Sequence, residues 1–181
     1  KNYTNFIDKN RLVPLGEKLP KILNNFSVGF SSLGGLHPGD ESRYFSWGNK
    51  PPFAIAICYE ISDGLKIRKA INKGSELIVS IANLDPYPMK IQKQFLSLAR
   101  VRSIENNRDN IIISNTGPSG LIRNDGRISN LLDSSKEEIR ILYPKFYTQN
   151  TFYNKFGEKP FILFFLILIQ LNNKIFRGST N

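Results

Sequence analysis

A single cysteine excludes a disulfide within the chain and any cysteine-rich metal site. A single histidine, His37, excludes the common two- and three-histidine zinc sites and would have to serve any Ser-His-Asp triad alone. It sits beside Pro38-Gly39 and reads as a loop residue. The chain also lacks the ~20-residue charge-free apolar run of a full membrane crossing. Its longest such run is Phe161–Leu171, FILFFLILIQL, in which ten of eleven residues are apolar. Acidic residues are in the minority, 15 against 25 Lys and Arg, for a net charge of +10 over 181 residues. The excess is scattered. Its densest group, Lys66, Arg68, Lys69 and Lys73, falls on an expected helix, and no basic stretch interleaved with aromatics marks a nucleic-acid surface. A hydrophobic content of 40% is too high for a disordered chain, and no internal repeat is visible. The chain begins at Lys1 rather than Met and is expected to be a piece of a longer protein.

The body alternates two kinds of segment. Residues 53–58 (FAIAIC), 76–82 (ELIVSIA) and 110–115 (NIIISN) are compact apolar runs and predict buried strands. Residues 64–73, ended by Gly74, and 89–106, with Ile91, Phe95, Leu98, Arg102 and Glu105 at helical spacing, predict the helices between them. Asn124-Asp125-Gly126 between 119–123 and 127–132 predicts a hairpin. The expected class is α/β with parallel pairing, a fold in which function gathers where strands end. Residues 24–50 read as a long loop or lid, in which Tyr44 and Trp47 either contact apolar substrate or pack the lid down.

Cys58 closes the first strand and is followed by Tyr59 and Glu60. A lone cysteine is most often an inert buried side chain. A strand end followed by a turn suits an exposed nucleophile instead. A thiol then needs a base, or a lowered pKa, to react near neutral pH. Lys9, Glu17 and Glu60 are the charged candidates: a lysine favours thiolate and stabilises an oxyanion, and a carboxylate can carry a proton. Each also has a plainer reading, Glu17 as a surface carboxylate and Glu60 as a helix N-terminal one. Arg102 and Glu105 read as a structural i, i+3 pair, and Asn115 and Ser119 as turn formers.

Lys9–Pro20, KNRLVPLGEKLP, is similar to the Lys-x-x-Leu-Val-Pro-Phe-Gly-Glu segment of the apolipoprotein N-acyltransferases, in the nitrilase (carbon–nitrogen hydrolase) superfamily, with Leu15 in place of Phe. Ile57-Cys58-Tyr59-Glu60 resembles the nucleophile segment of that family. Asn83 falls where it has Asn after a strand, and QFLSLARVRSIE, from Gln94 to Glu105, resembles its following helix. Asn115-Thr116-Gly117, Ser119, Gly126 and the Thr151–Gly157 exit into an apolar tail follow in the same order. Two departures stand out: Phe95 replaces a frequent His, and Leu84-Asp85-Pro86-Tyr87-Pro88 replaces Asp-Ala-Trp-Phe.

The resemblance implies a partial nitrilase-like αββα sandwich followed by a C-terminal transmembrane helix, with residues 1–153 as catalytic domain and 154–181 as membrane segment and tail. It implies Cys58 as nucleophile, Lys9 as triad lysine, Glu17 and Glu60 as supporting acids, and Tyr59, Asn83 and Tyr87 at the substrate. The general-base Glu of the family precedes the Lys segment, so this chain is expected to lack it and to be inactive alone. No metal or cofactor is implied. The implied reaction carries an acyl chain from a phospholipid, through a Cys thioester, to the N-terminal α-amine of a diacylglyceryl-modified apolipoprotein. It takes place at the periplasmic face of a bacterial inner membrane. The alternatives are a nitrilase-type amidase acting on a small amide and a non-catalytic membrane-anchored binding module. For the tail itself, an interfacial anchor and a buried core helix compete with the transmembrane reading.

Overall fold

Ala54, Ala56, Ile78, Ser80, Ala82, Ile112 and Ile122 point from neighbouring strands to one side of a sheet, and the apolar ones form its core with Ile67, Ala70 and Ile71 of one helix and Phe95 and Ala99 of another. The computed structural model that shows this describes residues 6–14, 17, 36–132 and 138–178, without the side chains of 173–178. Part of the expected lid (24–35) and residues 15, 16 and 18–20 of the Lys9–Pro20 segment lie outside the described residues, as do the side chains of Lys174 and Arg177.

The strands are β1 (Tyr44–Phe45), β2 (Phe53–Ile57), β3 (Leu77–Ala82), β4 (Asn110–Ser114), β5 (Gly120–Ile122) and β6 (Ile128–Ser129), in that order across one sheet. β2, β3 and β4 are parallel, joined by α1 (Gly64–Asn72) and α2 (Met89–Asn106), while β1, β5 and β6 run antiparallel to their neighbours. The turn expected at Asn124-Asp125-Gly126 joins β5 to β6, with Gly126 at φ +82°. The sequence did not mark β1, the short helix α3 (Phe152–Phe156), or the 3-10 turn over Cys58–Ser62, which takes Cys58 out of the strand.

Local chemistry explains the helix ends. Asp63 accepts the amide of Lys66 at 3.2 Å and opens α1. Asn107, in the left-handed region at φ +51°, closes α2. α3 is clasped by polar groups: Thr151 Oγ1 donates to the Glu105 carbonyl at 2.6 Å, Asn154 Nδ2 to Asn106 at 2.7 Å, and Arg68 Nε to the Tyr153 carbonyl at 2.8 Å.

On the second face of the sheet Ile57, Ile81 and Ile113 stand in one cross-strand row, and Ile81 and Ile113 are exposed. Among the described residues there is therefore one mixed sheet with helices on one face, half of the layers of an αββα sandwich.

The tail is helical, α4 spanning Lys159–Gly178. The transmembrane expectation meets a correction here: among the described residues no helix is long and apolar enough to cross a membrane. The physical reason is length, since an eleven-residue run covers only ~16 Å of a ~30 Å hydrocarbon core. The described residues do not bury this helix either. Every apolar side chain from Phe161 to Leu171 is between 43% and 66% exposed, on all sides of the helix.

Candidate active site

β2 ends at Ile57 and the backbone turns sharply into the Cys58–Ser62 3-10 turn. Cys58 takes φ +54°, a left-handed conformation that a residue with a β-carbon adopts at a cost of ~1–3 kcal/mol. The thiol is free and half-buried. Strain of this kind survives only where the surroundings hold it, and the holder is Glu60.

The Glu60 carboxylate, 2% exposed, accepts the amide of Ile57 at 2.8 Å, just before the nucleophile. It also accepts the amides of Asn10 at 2.6 Å and Arg11 at 3.1 Å, immediately after Lys9. The guanidinium of Arg43, 1% exposed, completes the set with bonds of 2.7 and 2.9 Å to the two oxygens. Arg43 then reaches the carbonyls of Asp8 at 2.8 Å and Asp40 at 2.6 Å. One buried ion pair thus ties three chain segments together: the Lys9 loop, the Asp40–Arg43 stretch and the nucleophile turn. Both Glu60 oxygens are thus filled, and they hold the amide before Cys58 and the two after Lys9. Arg43 went unread in the sequence. A buried carboxylate beside a nucleophile calls for a cation, but nothing in Glu41-Ser42 or Tyr44-Phe45 says which one.

The same segments meet closely at Gly39. Its amide donates to the Lys9 carbonyl at 3.0 Å, and a β-carbon there would stand 2.4 Å from that of Asp8. Lys9 Nζ bonds both oxygens of Glu17 at 2.6 Å, and Glu17 also accepts the amide of Val13 at 2.8 Å. Burial pushes the Glu17 carboxyl up. The bonds from Lys9 and Val13, with the lysine charge, outweigh this and leave it below the usual carboxylate range. Lys9 therefore spends its hydrogen bonds on Glu17, in a loop that Glu60 fastens to the Cys58 turn.

Cys58 and Tyr59 form one wall of a cavity of about 320 Å³, closed by Val13, Tyr87, Phe95 and Leu98 and almost wholly apolar. Tyr59 is partly exposed under the Arg11 guanidinium, 5.0 Å from its ring centre. Gln92 Nε2 donates to the Tyr87 carbonyl at 3.0 Å, so α2 fixes the loop carrying Tyr87. Asn83 stands beside the cavity rather than in its wall. It accepts from Asn115 Nδ2 at 2.8 Å and from its own loop at Asp85 N at 3.1 Å, joining the ends of β3 and β4. Arg102 pairs with Glu105 as expected and also donates to the Ile61 carbonyl at 3.0 Å, anchoring α2 to the nucleophile turn. Among the described residues no three His, Cys, Asp or Glu side chains converge as a metal site would require.

No family model matches the chain. An apolipoprotein N-acyltransferase of Prochlorococcus marinus subsp. pastoris is 60% identical over 172 residues, which is 95% of this chain and 35% of that protein. Another, from a second Prochlorococcus marinus strain, is 45% identical over 168 residues, covering 93% of this chain and 34% of that protein. Saccharomyces cerevisiae Nit3, a member of branch 10 of the nitrilase superfamily, superposes with a TM-score of 0.51 at 19% identity, over 59% of this chain and 41% of its own. That likeness shows the fold, a nitrilase-type mixed α/β sheet. The chain spans about a third of the length of the curated relatives it matches. Over that third, it belongs to the apolipoprotein N-acyltransferases.

Proposed function

We propose that this chain is the nucleophile-bearing part of an enzyme that transfers an acyl chain from a phospholipid to the N-terminal α-amine of a diacylglyceryl-modified apolipoprotein. The observation that carries the proposal is Cys58: a free thiol on a strained turn at the carboxyl end of a parallel strand, in the wall of an apolar cavity. An apolar cavity fits a fatty chain better than it fits a small polar amide.

In this mechanism the Cys58 thiol loses its proton to a carboxylate, and the thiolate attacks the ester carbonyl of the donor. The tetrahedral oxyanion is stabilised by the Lys9 ammonium, delivered from its Glu17 partner. Its collapse expels the lysophospholipid alkoxide, which takes up the proton and leaves a thioester on Cys58. The apolipoprotein amine, losing its own proton, attacks the thioester and releases the thiolate. Tyr59 and Tyr87 line the acyl chain, and Asn83 holds the loop of Tyr87. Glu60 carries five hydrogen bonds and Glu17 is held ionised by Lys9, so neither is the general base. That role falls to a carboxylate outside residues 1–181, without which this chain alone is inactive.

Residues 1–153 are the catalytic part of this scheme and 154–181 its membrane segment and tail. The exposed apolar helix α4 seats the protein in the bacterial inner membrane, with the catalytic part on the periplasmic side. The missing sheet of the sandwich covers Ile81 and Ile113.

The test uses the full-length enzyme with phospholipid and no acceptor. Mass spectrometry should find one acyl group on Cys58 as a thioester, absent in Cys58→Ala, and a Cys58→Ala enzyme that still transfers would overturn the assignment. Flotation with and without residues 160–181 tests the membrane seat, which predicts that only the intact protein floats.

A further inference from the structure

We infer that the acyl chain of the donor leaves the Cys58 cavity over helix α2, across a threshold formed by Gln94 and Leu98. The inference rests on the acyl-transfer function proposed above and says where the far end of the chain goes.

A second depression, also of about 320 Å³ and also apolar, lies on the outer face of α2 among Gln94, Ser97, Leu98 and Val101. Gln94 and Leu98 line both hollows, which therefore adjoin at these two side chains. Ile91, Gln94, Leu98 and Val101 follow each other at steps of three and four and stand in one row on the helix. From Ile91 to Val101 that row is ~15 Å long. Ile91 and Val101 are both exposed, and scattered exposed apolar residues need no explanation. A row that begins in the wall of a nucleophile's cavity does, because it extends an apolar path in one direction from the reacting atom.

The occupant follows from the chemistry of that path. The outer hollow is lined by no charged side chain to meet a head group or the amine of the acceptor, and the row starts in the wall of the cavity that holds Cys58. Gln94 is the one amide in the row, at the place where the chain passes from the inner hollow to the outer. Short chains end inside the Cys58 cavity, whereas long ones must cross Leu98.

The experiment compares Cys58 acylation by dipalmitoyl and dioctanoyl phosphatidylethanolamine in the full-length enzyme, with thioester formation read by mass spectrometry. Leu98→Trp fills the threshold and Val101→Asp charges the outer hollow. Each should lower the palmitoyl-to-octanoyl rate ratio about tenfold, or ~1.36 kcal/mol. Circular dichroism and the urea midpoint of each variant show that it is folded. If the wild type forms the thioester and both variants keep its ratio, whatever their absolute rates, the path over α2 is wrong and acyl transfer stands. If the wild type forms no thioester with either donor, acyl transfer itself is overturned and the path with it.

Discussion

Where β3 and β4 begin, polar groups are buried and paired; where the parallel strands end, an open apolar cavity adjoins a strained turn. At the first end Asp109 is fully buried and accepts from Arg123 at 2.9 Å, from the Asn124 amide at 2.9 Å and from the Lys145 amide at 2.9 Å. Arg108, buried beside it, donates to the carbonyls of Ser75 at 2.9 Å and Gln149 at 2.7 Å. The hollow at that end, of about 300 Å³ and lined by Arg123, Asn124, Lys145 and Tyr147, holds no cysteine. At the other end one network, Glu60 with Arg43, is just as buried, yet it serves a free thiol in a cavity wall. The same chemistry of buried carboxylate and guanidinium closes one end of the sheet and arms the other.

Changes at the armed end should affect rate rather than folding. Lys9→Met removes the ammonium while keeping most of the side-chain length. Loss of one oxyanion donor costs ~10²–10³ in rate, and Lys9→Arg should recover little of it, because a planar fork does not reproduce a compact ammonium. Glu17 gives a second readout. Its carboxyl lies below its ordinary value, so the Lys9 pair contributes stability that is present above the unfolded-state pKa and is lost as pH falls through the lower folded value. In Lys9→Met the burial of Glu17 is no longer opposed by the lysine, and its carboxyl should titrate at higher pH by NMR. A Glu17 titration unmoved in that variant would mean that the pair does not form in solution.

At the closed end the expected loss is one of stability. Asp109→Ala strands two backbone amides and one face of Arg123. Each buried group left without a partner costs ~1–3 kcal/mol, so a loss of ~3 kcal/mol should appear in urea unfolding. Turnover per folded molecule should stay at the wild-type level. A variant that keeps its stability but loses turnover would reverse the roles assigned to the two ends.

How much of this could be read from residues alone differs between the two ends as well. The parallel strands and both long helices were legible as elements, because a compact apolar run such as Phe53–Ile57 and a helical spacing such as that of Met89–Asn106 signal packing, although the second turns Ile91 and Val101 outward and buries Arg102 and Asn106. Cys58, Lys9 and Glu17 were legible as candidates through their local segments. The pairing of Glu60 with Arg43 was not. It joins residues seventeen positions apart across an irregular stretch, with no periodicity to reveal which cation would be buried. The five hydrogen bonds that fill the Glu60 carboxylate were hidden for the same reason, since they come from three separate segments. The tail was legible in composition, and its eleven-residue length, already evident there, is what keeps α4 short of a full crossing.

The smallest effect is the most pointed, because it compares the same backbone conformation at both ends. Asn107 at φ +51° caps α2 at the closed end, and Cys58 at φ +54° carries the thiol at the armed end. Asn visits the left-handed region with its short polar side chain, whereas other residues with a β-carbon are held there at ~1–2 kcal/mol. Asn107→Gly should therefore relieve little strain, its cost being the bond that the side chain accepts from Asn124 Nδ2 at 2.7 Å. Cys58→Gly should do more. It relieves the β-carbon clash, and against that gain stand the lost packing of the sulfur and the greater unfolded-state freedom of glycine, ~0.5–1 kcal/mol. The clean comparison is with Cys58→Ala, which loses the sulfur but keeps the β-carbon. Cys58→Gly should be the more stable of the two by ~1 kcal/mol, read as a higher urea midpoint at equal slope, and both should be inactive. Equal midpoints for the Gly and Ala variants would mean that the turn carries no strain, and that the exposure of the thiol comes from the cavity alone.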